Sequence, residues 1–288
     1  MKATYSILLG FCLACTASTI GCQKPVEKLQ PAELIAWCIV PFDSLDRSPA
    51  ERMAMLKDLG LKRYAYDWRT KHLDTMAEEL RTAKEAGIEV SAVWLWIDDD
   101  EDTLDSLSAN NRRMLKILKD SGLKTDIWVS FHEGFFKKVH RTARVALGSK
   151  MIGQIADQAE AMGCRLALYN HGDWFGDPLN QIAIIDKLNR DIGLIYNFHH
   201  AHDQLDGYPD LMKKIQPYLW VVNLNGMVPA GPKIMPIGSG TKEEGMVQTL
   251  IDLGYDGDFG ILGHVEEADV HRILDANLKG LSNLNLSN

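Results

Sequence analysis

Five times along the chain, a helix-like stretch ends in glycine and passes at once into an apolar run. The junctions are LKDLG (56–60), AKEAG (83–87), LKDSG (118–122), AEAMG (159–163) and LIDLG (250–254). Glycine just past a periodic stretch is a helix stop, because only glycine takes the left-handed backbone at no steric cost. Five such stops, each feeding a strand-like run, demand a fold in which helices and strands alternate.

The strand candidates are LIAWCIV (34–40), LKRYAYD (61–67), EVSAVWLW (89–96), TDIWVSF (125–131), CRLALYN (164–170), IGLIYNF (192–198), LWVVNLN (219–225) and DFGILGH (258–264). Ser48-Pro49 opens the first helix, with proline at a position where its missing N–H costs nothing. Alternating strands and helices imply a parallel sheet, and eight strands is the number that closes a (β/α)8 TIM barrel. An open doubly wound sheet is the weaker option, since no glycine-rich turn follows the first strand. No linker interrupts 32–288, so that stretch reads as a single α/β domain, with extended loops after strands 4, 5 and 7.

The first 22 residues stand apart. MKATYSILLGFCLACTASTIGC carries one lysine, an apolar stretch from Tyr5 to Ala17, and small residues before Cys22. This is the layout of a secretory signal, too short to span a bilayer. Its ending, Thr19-Ile20-Gly21-Cys22, resembles a bacterial lipobox, although Thr19 stands where leucine is usual. The expectation is an exported cell-envelope protein, anchored to the membrane only through lipid on Cys22. Residues 23–31 then read as a polar tether. Cys38 and Cys164, in two different strand candidates, read as buried free thiols. A net charge of −8 disfavours nucleic acid, which needs a basic face.

In such a barrel, functional side chains sit at the C-terminal ends of strands. There the sequence places Pro41-Phe42-Asp43, Asp67-Trp68-Arg69, Trp94, Trp96 and Asp98, His132-Glu133, Asn170-His171 with Trp174, Asn197 with His199, His200 and His202, Asn223 and Asn225 with Lys233 downstream, and His264 before Glu266. Six of the nine histidines fall at strand ends. Any one of these residues alone is a solvated loop residue or cap; their convergence on one crevice points to a site. The tryptophans suit core packing or a platform for a sugar ring. The acidic run 98–102 reads as a solvated loop and helix start.

AWCIVPFD, AYDWR, LALYNHGDWFGDP, YNFHHAHD, NLNGM and the C-terminal GYDGDFGILGHVEEADVHRILDANLKGLSNL together resemble the xylose isomerase-like TIM barrels of the sugar phosphate isomerase/epimerase superfamily, over roughly 32–284. They look most like a secreted branch from bacteria that degrade carbohydrate. The resemblance implies a divalent metal held by a Glu after strand 5, an Asp after strand 6, a His after strand 7 and a Glu after strand 8, the two glutamates forming the acid/base pair. In this chain Tyr169, Asn197, Asn223 and Leu262 occupy those places. Of the family's strand-6 pattern only the substrate-binding histidine remains, as His200. Amides and a leucine are poor partners for Mg²⁺ or Mn²⁺. A displaced site on His171, His200 and His264, with or without Glu133, is the metal-binding alternative; the cofactor stays open.

The expected function is therefore a carbohydrate enzyme that moves a proton beside the carbonyl of a small sugar or keto-sugar, as isomerase, epimerase or lyase/hydratase. His171 and His200 are the expected acid/base pair, with Asp67 or Glu133 orienting them. Lys233 or Arg69 stabilises the developing oxyanion. Trp68, His132, Asn170, Trp174, Asn197, His199, Asn223, Asn225 and His264 are the expected substrate wall. The alternative is a noncatalytic sugar-binding lipoprotein. A metal-dependent hydrolase or nuclease ranks last, for want of carboxylate ligands and a basic face.

Overall fold

Leu61, Ile88, Cys164 and Tyr255 show how the glycine junctions work. Each follows one of the glycines, donates its backbone N–H back to a carbonyl five residues earlier at 2.9 Å, and is itself buried. The glycines between, Gly60, Gly87, Gly163 and Gly254, have φ of +69° to +72°, as does Gly122 at +67°. The left-handed residue turns the chain off the helix, and the apolar residue after it seats the next strand in the core.

The computed structural model describes residues 26–100, 102 and 106–287. The signal segment and Cys22 lie outside the described residues. Eight parallel strands alternate with helices: β1 (Ile35–Trp37), α1 (Pro49–Asp58), β2 (Arg63–Tyr66), α2 (Met76–Ala86), β3 (Glu89–Ile97), α3 (Ala109–Ser121), β4 (Asp126–Phe131), α4 (Arg144–Met162), β5 (Arg165–Tyr169), a short α5 (Asp173–Gly176), α6 (Pro178–Leu188), β6 (Ile192–Asn197), α7 (Tyr208–Ile215), β7 (Leu219–Leu224), α8 (Glu243–Asp252), β8 (Asp258–Leu262) and α9 (Val270–Ser282). The strands pair in chain order, and β1 closes the ring by pairing with β8, Trp37 opposite Leu262. The result is a single-domain TIM barrel. Ser48 caps α1 in a reciprocal capping box with Glu51, satisfying donors at both ends of the first turn.

The barrel interior is layered. Its N-terminal mouth is closed by ion pairs: Arg63 to Asp258 at 2.7 Å and to Glu89 at 3.2 Å, and Arg165 to Asp126 at 2.8 Å. Gly193 leaves room there for the Trp220 ring, which any side chain at 193 would strike, and the Arg165 guanidinium lies 4.2 Å above that ring. Toward the C-terminal end, Trp37 packs against Trp94, Trp128 and Tyr169 with ring centres 5.4, 5.1 and 5.7 Å away. This aromatic layer is the floor of everything above it.

Two local outcomes differ from the pattern expected of the sequence. β1 stops at Trp37 instead of running to Val40, because Cys38 takes a left-handed φ of 57°. The turned segment is held from both sides: Ile39 O accepts from Arg52, and Val40 N–H donates to Asp67. Within 23–31, Glu27–Leu29 and Pro31–Glu33 form 3-10 turns, Leu29 is buried, and Lys28 donates to the carbonyls of Asp256 and Gly257 just before β8. Residues 26–31 of the expected tether pack on the barrel, and 23–25 lie outside the described residues. Among the described residues, Cys38 and Cys164 are buried free thiols, and no helix is long and apolar enough to cross a membrane.

Candidate active site

A cavity of about 620 Å³ opens at the C-terminal end of the barrel. Ten of the expected site residues line it: Asp67, Trp68 and Arg69 after β2, His132 and Glu133 after β4, His171 after β5, His199 and His200 after β6, Lys233 in the β7–α8 loop, and His264 after β8. Trp37, Cys38, Phe42, Trp94, Trp96 and Tyr169 supply an aromatic and apolar lining. Strand-end placement brings the titratable groups together because every strand of a parallel barrel points the same way.

Asp67 stands out electrostatically. One carboxyl oxygen accepts from Val40 N–H at 3.3 Å; the other, Oδ2, is buried with no hydrogen-bond partner. Burial pushes its pKa up to about 6, against a smaller opposing pull from Arg69. A carboxylate in that position is a base matched to neutral pH. The histidine wall behaves in the opposite sense. His171 and His200 have ring centres 4.4 Å apart, and His199 and His200 3.9 Å apart. Burial drives His171 down to about 4, with Lys233 the next cause. His200 lies well below its ordinary value, through burial and then the neighbouring His199 and His171; His199 does so through burial and then Lys233. His264 is lowered by burial too, against the pull of Glu266 3.6 Å away. The wall is therefore neutral imidazole at pH 7.

The expected orienting carboxylates are not in place. Neither Asp67 nor Glu133 hydrogen-bonds His171 or His200; Glu133 lies against Gly172, and His171 Nδ1 is buried without a partner. Four residues of the expected substrate wall instead support the scaffold. Asn170 exchanges hydrogen bonds with the Asn197 backbone, accepting from its N–H at 2.7 Å and donating to its carbonyl at 3.3 Å. Asn197 spends its amide on Tyr169 and His199. Asn225 donates to Lys233 O at 3.1 Å and accepts from Met235 N–H at 3.0 Å; with His202, which contacts Val228 O and Lys233 O, it ties down the loop that carries Lys233. Trp174 packs on Phe136, ring centres 4.7 Å apart, away from the cavity. Asn223 is fully buried beside Gly260, with neither amide atom bonded.

The acidic run also departs from expectation. Asp98 and Asp102 line the cavity, and α3 begins only at Ala109, capped by Ser108. Asp102 is buried and accepts from Asp98 N–H at 2.9 Å, from Ser108 N–H and from Asn111 Nδ2, while Asn111 also donates to Trp96 O at 2.7 Å. It ties Asp98, at the end of β3, to Ser108 and Asn111 at the start of α3. Nothing in the composition of the run singles it out, because the role needs Ser108 and Asn111 brought back onto it.

The metal that the family resemblance implies does not fit this donor set. Tyr169, Asn197, Asn223 and Leu262 offer no carboxylate and no imidazole, and the Asn197 amide is consumed within the protein. The ligand atoms of His171, His200 and His264 are not gathered within 4.8 Å of one another. Among the described residues, the one set of three or more ligand atoms within 4.8 Å of one another is Asp98, Asp99 and Asp100. Asp99 there already pairs with Lys138 at 3.2 Å.

The fold has close structural parallels. The 3-keto-D-glucoside 4-epimerase YcjR from E. coli superposes with a TM-score of 0.66 at 17% identity, over 87% of this chain and 98% of that one. A D-psicose 3-epimerase crystallised in the presence of D-fructose gives 0.63 at 15% identity, over 86% and 97%. The probable 3-DHS dehydratase AsbF from Bacillus anthracis gives 0.64 at 14% identity, over 88% and 100%. At these identities the likeness is one of fold. No curated protein matches in sequence. The family model of the xylose isomerase-like TIM barrel matches residues 53–276, and with the eight-stranded barrel and its strand-end cavity this places the chain in the xylose isomerase-like TIM barrel family.

Proposed function

We propose that the chain is a carbohydrate-active enzyme that moves a proton beside the carbonyl of a sugar or keto-sugar, without a metal at the family's ligand positions. The observation that carries this reading is Asp67, a cavity-lining carboxylate with an unpartnered oxygen and a pKa near 6. Structural neighbours named as sugar epimerases and a dehydratase support the reaction class.

In the proposed step, the Asp67 carboxylate takes the proton from the carbon beside the carbonyl. The C–H electron pair becomes the enolate double bond, and the carbonyl electrons move onto oxygen. Lys233 and Arg69 supply positive charge around the developing oxyanion. Protonation of the opposite face by solvent gives an epimer; return of the Asp67 proton at the neighbouring carbon, with that carbon's hydroxyl proton passing to the former carbonyl oxygen, gives an isomer; loss of a β-hydroxyl, leaving as water with the Asp67 proton, gives the lyase outcome. The base role passes to Asp67 because His171 and His200, neutral at pH 7, have little proton to give and low basicity. They serve as hydrogen-bond partners for sugar hydroxyls over the Trp94 and Trp96 rings, with ring centres of Trp96 and His171 4.8 Å apart.

Incubation with a 3-keto-D-glucoside, D-psicose, D-fructose or D-tagatose in deuterated water tests this. Deuterium is expected at the carbon beside the carbonyl of at least one, with the protein treated with a chelator. Calorimetric sugar binding with no exchange would instead mark a noncatalytic sugar-binding protein. The export signal read from residues 1–22 extends the proposal to an envelope lipoprotein; palmitate labelling is expected, and its persistence in Cys22→Ser would overturn that part.

A further inference from the structure

We propose that the Tyr169 hydroxyl is the electrophile of the site, donating its proton in a hydrogen bond to the substrate carbonyl oxygen and holding that oxygen as the enolate forms. This rests on the proton-transfer reading above.

Tyr169 ends β5 and forms part of the cavity floor. Its oxygen receives two N–H donors: the Trp37 indole at 3.0 Å and the Asn197 amide. The indole can only donate, so one lone pair is committed. Asn197 is oriented by His199, whose Nδ1 lies 2.7 Å from Asn197 Oδ1. A neutral imidazole with Nδ1–H facing that oxygen fixes the amide with its NH₂ group toward Tyr169. The phenol then has both acceptor directions filled from the protein, and among the described residues no group accepts its own proton. The remaining direction belongs to a ligand in the cavity.

The chain His199, Asn197, Tyr169 also polarises the donor. Each hydrogen bond points the same way, toward the phenol oxygen, and aligned bonds in a dry interior strengthen one another. Burial holds the phenol well above its ordinary pKa, so it stays a neutral donor and does not compete as an anion. The proton remains on Tyr169 throughout; charge develops on the substrate oxygen and is met by a donor already in place. This gives a physical meaning to two of the departures from the family's ligand positions. Tyr169 and Asn197 replace cation ligands with an oriented hydrogen-bond donor, and His199 locks its direction.

The test uses protein carrying ¹³C at the tyrosine Cζ, with the Tyr169 resonance assigned by its loss in Tyr169→Phe. Titration with a 3-keto-D-glucoside is expected to shift that resonance. Tyr169→Phe is expected to lower kcat for solvent exchange by about 10²-fold or more, with KM changed only a few-fold. Asn197→Asp, whose added acceptor draws the phenol proton away from the cavity, is expected to match that loss while keeping the tyrosine ring. An unmoved resonance at saturating sugar, the result if the hydroxyl donates to Asn197, overturns the assignment. So does a Tyr169→Phe protein that exchanges at the wild-type rate, which leaves the proton-transfer reading standing. Absence of exchange in the wild type counts against that reading instead, and the Cζ shift still decides whether Tyr169 touches the sugar.

Discussion

Asp67→Asn is expected to abolish proton exchange and, at the same time, to make the protein more stable at pH 7–8. The loss should reach about 10²–10⁴-fold, the usual contribution of a positioned general base. Asparagine keeps the acceptor for Val40 N–H and removes the buried charge. The stability gain follows from the raised pKa. In the unfolded chain the carboxyl titrates near 3.8, in the folded protein near 6. Above pH 6 both states are ionised, and the folded state bears the cost of a buried charge, about 3 kcal/mol for a shift of about 2 units. Between 6 and 3.8 the folded state takes up the proton and the cost fades. The midpoint of Asp67→Asn should therefore exceed that of wild type at pH 8, with the gap closing by pH 4. Thermal or urea unfolding across this range measures it. A variant less stable than wild type at pH 8, or one that still turns over, would remove Asp67 from the mechanism.

The histidines predict the opposite slope. His171, lowered to about 4, and His199 and His200, both lowered well below the ordinary imidazole value by burial, bind no proton in the folded state until well below pH 6.5, where the unfolded chain is already protonated. Their contribution to stability is full above pH 6.5 and is lost as pH falls toward the folded values. His171 alone accounts for roughly 3 kcal/mol over that interval. His72, also lowered to about 4 by burial, adds in the same direction. Asp67 opposes them with one proton. From His171, His72 and Asp67 alone the net uptake on unfolding near pH 5 is about one proton, a slope on the order of 1 kcal/mol per pH unit, and His199 and His200 add to it in the same direction. His171→Gln should flatten that slope by about one proton, and Asp67→Asn should steepen it by the same amount. A stability curve flat between pH 6.5 and 4.5 would show that the histidine wall is solvated and charged.

The barrel was legible in the sequence because its signals are local. A helix stop at Gly87 or Gly163 needs only the glycine and the apolar residue after it, and the eight strand runs lie within a few residues of their observed limits. β1 was the exception: LIAWCIV reads as one strand, and only Arg52 and Asp67, brought in from α1 and β2, turn it at Cys38. The cavity was legible for the same topological reason, since a strand end in a parallel barrel is a position in the site. The division of labour within it was not. Asn170, Asn197 and Asn225 are chemically suited to sugar hydroxyls, but their amides are spent on groups that long-range pairing places beside them. In the sequence Tyr169 reads only as a missing ligand; its value depends on Trp37 and Asn197, 132 and 28 residues away.

The central claim, a buried carboxylate base acting without a metal at the family positions, is tested most directly by the pH profile of solvent exchange on chelator-treated protein. The account predicts a rate that rises through an apparent pKa near 6 and then levels, unchanged by added divalent cations and absent in Asp67→Asn. A rate that appears only on adding a divalent cation, or one that persists at the same level in Asp67→Asn, would contradict it.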